Sequence, residues 1–159
     1  MKITSLQEYG LRCVYQLACG GDSYPQNITA IAKKEGISPD YVGKILFQLR
    51  KSKIVRSVRG VKGGYILTRS PEQLKIGEVM RALSEKPVRM GKIRQDLCGQ
   101  FPGSEKKCIH LSRCSLRMLW SVVMAQIYNV LNRLPISFLM GEEKEVHTRI
   151  MNLLPKIKN

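Results

Sequence analysis

Residues Ile28–Leu67 read ITAIAKKEGISPDYVGKILFQLRKSKIVRSVRGVKGGYIL, and the fold follows from them. The stretch divides into a short apolar helix, a second helix behind a tight turn, and two strands around a glycine-rich basic loop. Ala32 is small enough for the second helix to cross close over the first. Gly36 can take the positive φ that the joint between them needs. Ser38 is a natural N-cap, and Pro39 follows at the first helical position, where its missing N–H costs nothing. Val42, Ile45, Leu46 and Leu49 recur at i, i+3, i+4 and i+7 and make one inward stripe. Asp40, Tyr41, Lys44, Gln48 and Lys51 are thereby turned outward. The pattern is a helix-turn-helix whose second helix suits the major groove of DNA.

The residues that follow extend this reading. Ile54–Val58 and Gly64–Leu67 have strand composition. Arg56, Arg59 and Lys62 stand in or beside the loop between them, which Gly60, Gly63 and Gly64 keep thin. A thin basic loop beside a recognition helix can reach a phosphate or enter the minor groove. The formal charge is +15 and the pI about 9.9, and Lys33, Lys34, Lys44, Arg50, Lys51, Lys53, Arg56, Arg59 and Lys62 crowd this region. Such a field attracts polyanions and makes binding steeply salt-dependent. The candidate DNA contacts are Ser38, Tyr41, Lys44, Gln48 and Arg50 on or capping the second helix, with Arg59 and Lys62 on the wing. Gln48 suits bidentate readout of adenine.

Working outward, Ile3–Cys19 opens with Thr4 as cap and Gln7 three residues on, a capping-box pattern. Leu6, Gly10, Cys13 or Val14, and Leu17 share one face, and Gly20-Gly21 ends the helix. Cys13 and Cys19 read as small packing residues. Ser70-Pro71 starts a new element, and Leu74, Ile76, Val79, Met80 and Leu83 predict a short helix. Lys86–Arg113 has no clear period, and long irregular segments of this kind are commonly functional. Ser112 or Ser115 is expected to cap a helix running to about Arg133. In it Leu116, Trp120, Val123, Ile127, Val130 and Leu134 form a 3.5-residue seam. The same stripe could pack on the chain's own domain, but pairing in a homodimer is the preferred reading. Two recognition helices must sit about 34 Å apart to read successive turns of a two-fold-symmetric operator. Ile136–Met140 is expected to cover the dimer's end, and Glu142–Leu154 to form a last helix.

The expected fold class is mainly α with a small β-wing: an N-terminal winged helix-turn-helix and a long C-terminal dimerisation helix. The expected organisation is a DNA-binding domain over 1–84, a cysteine-bearing loop over 85–113, a dimerisation helix and cap over 114–140, and an extension over 141–159. The N-terminus has no continuous apolar stretch of the signal-peptide kind. Leu116–Leu134 is too interrupted by polar residues to span a bilayer, so a cytoplasmic protein with no membrane role is expected. The two histidines, His110 and His147, and the lack of paired carboxylates or a nucleophile arrangement argue against an enzyme.

In a reducing compartment the five cysteines read as thiols or metal ligands rather than disulfides. Nine residues separate Cys98 from Cys108, and five separate Cys108 from Cys114. No pair has the CxxC spacing of structural zinc. Three soft thiolates suit an iron–sulfur cluster. Zinc held with His110, a bare thiol switch, and three unrelated thiols remain open on spacing alone. If Ser112 caps the long helix, Cys114 lies in its first turn, where the positive helix end favours a metal-binding thiolate. Lys92, Arg94, Lys106, Lys107, Arg113 and Arg117 would offset an anionic cluster.

The segments MKITSLQEYGLR, ISPDYVGKILFQLRKSKIVRSVRG and VKGGYILTRSPEQLKIGEVMRAL resemble the Rrf2 family of bacterial winged-helix regulators, in particular its iron–sulfur-binding, IscR- and NsrR-like branch. The resemblance covers roughly residues 1–139. It implies a homodimeric transcription regulator whose affinity for double-stranded operator DNA is set by a cluster sensing redox, nitric oxide or iron status. It implies an iron–sulfur cofactor, two-iron or four-iron with 2Fe-2S preferred over 4Fe-4S, and Cys98, Cys108 and Cys114 as ligands. The spacing after Cys98 is longer than the five residues common in the family, so Cys98 matches least well. The resemblance also implies a fourth ligand: Glu8 of the partner subunit, with Glu35 as a second candidate. Arg117 stands where other members carry a ligating histidine. Gly43 stands where some relatives carry an acid that tunes site choice. The alternative is a cluster-free regulator of the same fold, using zinc, bare thiols or a partner enzyme as its signal.

Overall fold

The first three helix starts are each fixed by a side chain that the sequence supplies. The computed structural model describes residues 3–21, 24–84, 110 and 114–153. Thr4 accepts from the Gln7 N–H at 3.2 Å, and the Gln7 side chain accepts from the Thr4 N–H at 3.2 Å, closing the capping box of α1 (Ser5–Gly20). Asn27 caps α2 (Ile28–Glu35), accepting from Ala30 N–H at 2.7 Å. Gly36 then takes φ 66°, ψ 32°, the left-handed conformation that turns the chain. Ser38 accepts from Tyr41 N–H at 3.2 Å, and Pro39 opens α3 (Pro39–Lys51).

Two strands follow, β1 (Val55–Val58) and β2 (Gly64–Leu67), paired antiparallel from Val55↔Leu67 to Val58↔Gly64. Gln26, just before α2, pairs with Tyr65 through backbone hydrogen bonds of 2.9 and 3.0 Å and pins the wing to the helix-turn-helix. After the wing come α4 (Ile76–Ala82), α5 (Ser115–Arg133), a 3₁₀ turn over Ile136–Leu139, and α6 (Glu143–Leu153).

The inward stripe of α3 is completely buried: Val42, Ile45, Leu46 and Leu49 are all 0% exposed. Removing such side chains from water stabilises the fold by on the order of 2 kcal/mol each. They pack with Cys13, Val14 and Leu17 of α1, Ile31 of α2, Val55 and Leu67 of the wing, and Val79 of α4. Gln7 is buried as well. Its amide donates to the Met80 carbonyl at 3.2 Å and the Ser84 hydroxyl at 3.1 Å, which ties the start of α1 to the end of α4.

The structure alters three expectations for the second half of the chain. First, α4 is shorter than the pattern suggested, because Leu74 and Lys75 are extended. Ile76 N–H donates to the Leu134 carbonyl and Ile136 N–H to the Leu74 carbonyl, both at 2.9 Å, so the strands flanking α4 and α5 are stitched together. Second, Ile136 is therefore 0% exposed inside the protomer's own core, which leaves the half-buried Phe138, Leu139 and Met140 as the part of that patch open to a partner. Third, the seam of α5 is divided. At its C-terminal end Leu134 is buried, and Tyr128 is buried nearby with the Arg81 guanidinium 5.9 Å from its ring centre. At its N-terminal end Leu116, Met118, Leu119, Trp120, Val122 and Val123 are exposed. Gly77 lets α4 lie directly on α5, since a Cβ there would strike the Asn132 side chain.

Candidate nucleic-acid interface and cysteine centre

The outer side of α3 carries Lys44, Phe47, Gln48 and Lys51, all exposed, with Arg50 exposed on its flank. The Arg50 guanidinium lies 5.9 Å from the centre of the Phe47 ring. Ser38 and Asp40 are exposed at the start of the helix, where α3 presents its first N–H groups. Arg59 and Lys62 are exposed on the loop between β1 and β2, whose tip is closed by a 2.8 Å hydrogen bond from Gly63 N–H to the Gly60 carbonyl. Helix and wing thus offer cations on two neighbouring surfaces, as binding to a phosphate backbone beside a groove requires.

Tyr41 differs from the outward position expected for it. It is half-buried, packs against the core, and meets Tyr9 of α1 edge to face. Glu35 is not available as a ligand. Its carboxylate is 5% exposed, is paired with Arg12 Nε at 2.6 Å and accepts from the Gln16 amide at 2.7 Å. It fastens the end of α2 to α1. Glu8, by contrast, is exposed on the first turn of α1, and its carboxylate has no partner among the described residues.

Cys114 is itself the N-cap of α5, in place of the expected Ser112 or Ser115. Its Sγ accepts from Arg117 N–H at 3.4 Å, and the residue is half-buried. A sulfur at the positive end of a helix, within reach of solvent, fits the donor chemistry of an iron–sulfur ligand. Cys98 and Cys108 lie outside the described residues, and among the described residues no three metal-binding side chains converge. The other two cysteines differ from each other. Cys13 is fully buried, and its thiol is pushed up to about 12, chiefly by burial and further by the Glu35 carboxylate, with Arg12 opposing. Cys19, expected to pack, is exposed.

Two features of α3 escape a reading by hydrophobic period. Phe47 is 59% exposed in the middle of the outer face. Gly43, one turn before it, lies mid-helix, where glycine costs about 1 kcal/mol relative to alanine. The available signal is the phase of Phe47: four residues after Gly43 and three after Lys44, on the side opposite the inward stripe.

A family model described as "Rrf2: Iron-dependent Transcriptional regulator" matches residues 3–142. The protein called rrf2 from Nitratidesulfovibrio vulgaris is 28% identical over 155 residues, covering 98% of this chain and 97% of its own. The structure of T. potens IscR superposes with a TM-score of 0.64 at 28% identity, covering 86% of this chain and 84% of that one. The oxidized form of Staphylococcus aureus CymR superposes with a TM-score of 0.66 at 25% identity, covering 89% and 98%.

Proposed function

The chain belongs to the Rrf2 family of transcriptional regulators, and on that premise we propose that it works as a homodimer whose grip on operator DNA is set by an iron–sulfur cluster. It is a regulator, not an enzyme. In this reading Lys44, Gln48 and Arg50 of α3 face the major groove, with Ser38 placing the first turn of the helix. Tyr41 contributes through its exposed edge while its ring holds α3 against α1. Arg59 and Lys62 neutralise phosphates beside the groove or enter the adjoining minor groove.

The ligands are Cys98, Cys108 and Cys114, with Glu8 of the partner subunit as the fourth, and a two-iron centre is favoured over a four-iron one. When bound, such a cluster supplies a centre that exchanges electrons and reacts with nitric oxide. Cys114 is the observation that carries the sensor half. Its sulfur caps the very helix whose far end is stitched to α4, so a change at that sulfur bears directly on the seating of α5. The exposed first half of α5, from Leu116 to Val123, forms the seam with the second protomer. No helix among the described residues is long and apolar enough to cross a membrane.

The test is an oxygen-free purification followed by visible absorption, iron and sulfide assays, and DNA retardation with and without the cofactor. The reading expects colour, stoichiometric iron and sulfide, and a shift in DNA affinity of about 5- to 150-fold on removing the cofactor, the usual range of site-to-site coupling. A Glu8→Ala protein should keep its fold and alter the absorption or lability of the centre. A second reading is favoured by the likeness to the oxidized form of CymR: the same DNA-binding unit governed by its thiols, by zinc or by a partner enzyme. Colourless protein after attempted reconstitution, with DNA binding that responds to thiol oxidation, would establish its thiol form.

A further inference from the structure

We propose that Gly43 and Phe47 form a slot on α3 that reads the 5-methyl group of thymine in the major groove. The inference rests on the DNA-binding reading above and goes beyond it by naming the base feature recognised and the residues that recognise it.

Phe47 presents an aromatic ring to solvent at 59% exposure, while the four residues of the inward stripe are at 0%. Its neighbours on the outer face are Lys44 and Lys51, and Arg50 lies over its ring. An apolar protein partner would have to bury those cations without compensation. A polyanion accepts them. The one apolar group on the major-groove edges of the bases is the thymine methyl; the other features there are hydrogen-bond donors and acceptors. An exposed phenylalanine on a recognition helix therefore has one complement in that groove. Gln48, the next residue, carries the amide suited to adenine, so the two together favour a run of A·T pairs.

Gly43 supplies the second, independent observation. It does not adopt positive φ. Among the described residues, a Cβ built on it would meet only the Ile28 Cδ1 atom, at 3.9 Å, an ordinary contact. Neither backbone conformation nor packing among the described residues demands glycine there, although glycine is the poorest helix former after proline. A bound base edge supplies such a demand, since bare backbone allows close approach of a ligand. Gly43 lies one turn before Phe47 on the same side of α3, so a base edge can settle over Gly43 with its methyl against the ring.

The experiment uses the full-length protein. A binding sequence is first selected from a random duplex library, and each thymine of a half-site is then replaced in turn by deoxyuridine, which lacks only the methyl. We expect one position per half-site to lose roughly fourfold in affinity, what burying one methylene corresponds to. Phe47→Ala should weaken binding and remove the thymine-over-uracil preference at that position alone. Gly43→Ala should raise the melting temperature yet weaken binding to the same site. Indifference to every replacement in the wild-type protein would overturn the slot. So would a Phe47→Ala protein that keeps the preference, or one whose sole defect is a changed oligomeric state in sedimentation. A library that enriches no sequence would overturn the DNA reading itself, and the slot with it.

Discussion

The ring of Tyr9 meets the ring of Tyr41 edge to face, with centroids 5.9 Å apart and planes at 81°. Tyr9 belongs to α1 and Tyr41 to the first turn of α3. Arg12, one turn along α1 from Tyr9, lies 5.4 Å from the Tyr9 ring centre while its Nε pairs with Glu35 at the end of α2. One face of α1 therefore holds both helices of the helix-turn-helix at the point where they join.

The Tyr9–Tyr41 contact should be measurable as a coupling energy. Tyr9→Ala, Tyr41→Ala and the double variant, unfolded in urea at one fixed protein concentration, should give a coupling of about 0.5–1.5 kcal/mol beyond the sum of single effects. Strict additivity would mean that the rings merely coincide.

Cys13 should make the fold sensitive to alkali. The thiol titrates at about 12 in the folded protein against an ordinary 9.0. The folded state keeps its proton where the unfolded chain has lost it. This contribution is intact below pH 9, shrinks as pH rises from 9 towards 12, and is gone above the folded value. Lysines and tyrosines titrate in the same range, so the comparison is with Cys13→Ala, whose loss of stability over that window should be shallower. At pH 8 a thiol alkylator should modify exposed Cys19 and spare Cys13 until the protein unfolds.

Replacing Cys114 separates its two roles. Serine is a strong N-cap and cysteine a weak one, so Cys114→Ser should hold or raise the melting temperature while abolishing cofactor retention on anaerobic purification. Cys114→Ala removes both the cap and the ligand and should lose up to about 1 kcal/mol by comparison with the serine variant. Equal melting temperatures for the two would mean that the residue does not cap α5 in solution.

The wing should contribute affinity without sequence preference. Arg59→Ala and Lys62→Ala are each expected to weaken specific and random DNA alike. Each should reduce the slope of log affinity against log salt by about 0.9 for every phosphate the side chain neutralises. Fluorescence anisotropy over a salt series would read this directly. A loss confined to the selected operator would mean base readout by the wing instead.

The helix-turn-helix and wing were legible because their signals are local. Gly36, Ser38, Pro39 and the four residues of the inward stripe act within one or two turns, and their spacing carries their role. The seam of α5 was legible as a period but not as a destination. Whether Leu134 faces another chain or its own core depends on the backbone pairing of Leu134–Ile136 with Leu74–Ile76, about sixty residues away in sequence. The role of Glu35 is hidden from the sequence for the same reason, since its partners Arg12 and Gln16 sit on a different helix. Cys98 and Cys108 lie outside the described residues, so the proposed ligand set rests on spacing and family likeness, with Cys114 and Glu8 as the members the structure describes.

The one-sided anchorage of α5 has a mechanical consequence. At 1.5 Å per residue its nineteen residues make a rod about 28 Å long, rooted beside α4 at one end and carrying the Cys114 sulfur at the other. A displacement of about 2 Å at the sulfur end turns the root through only about 4° for a rod of that length. The rod gears movement down, so in the proposed reading a chemical event at its tip would reach the DNA-reading unit as a small rotation delivered with leverage.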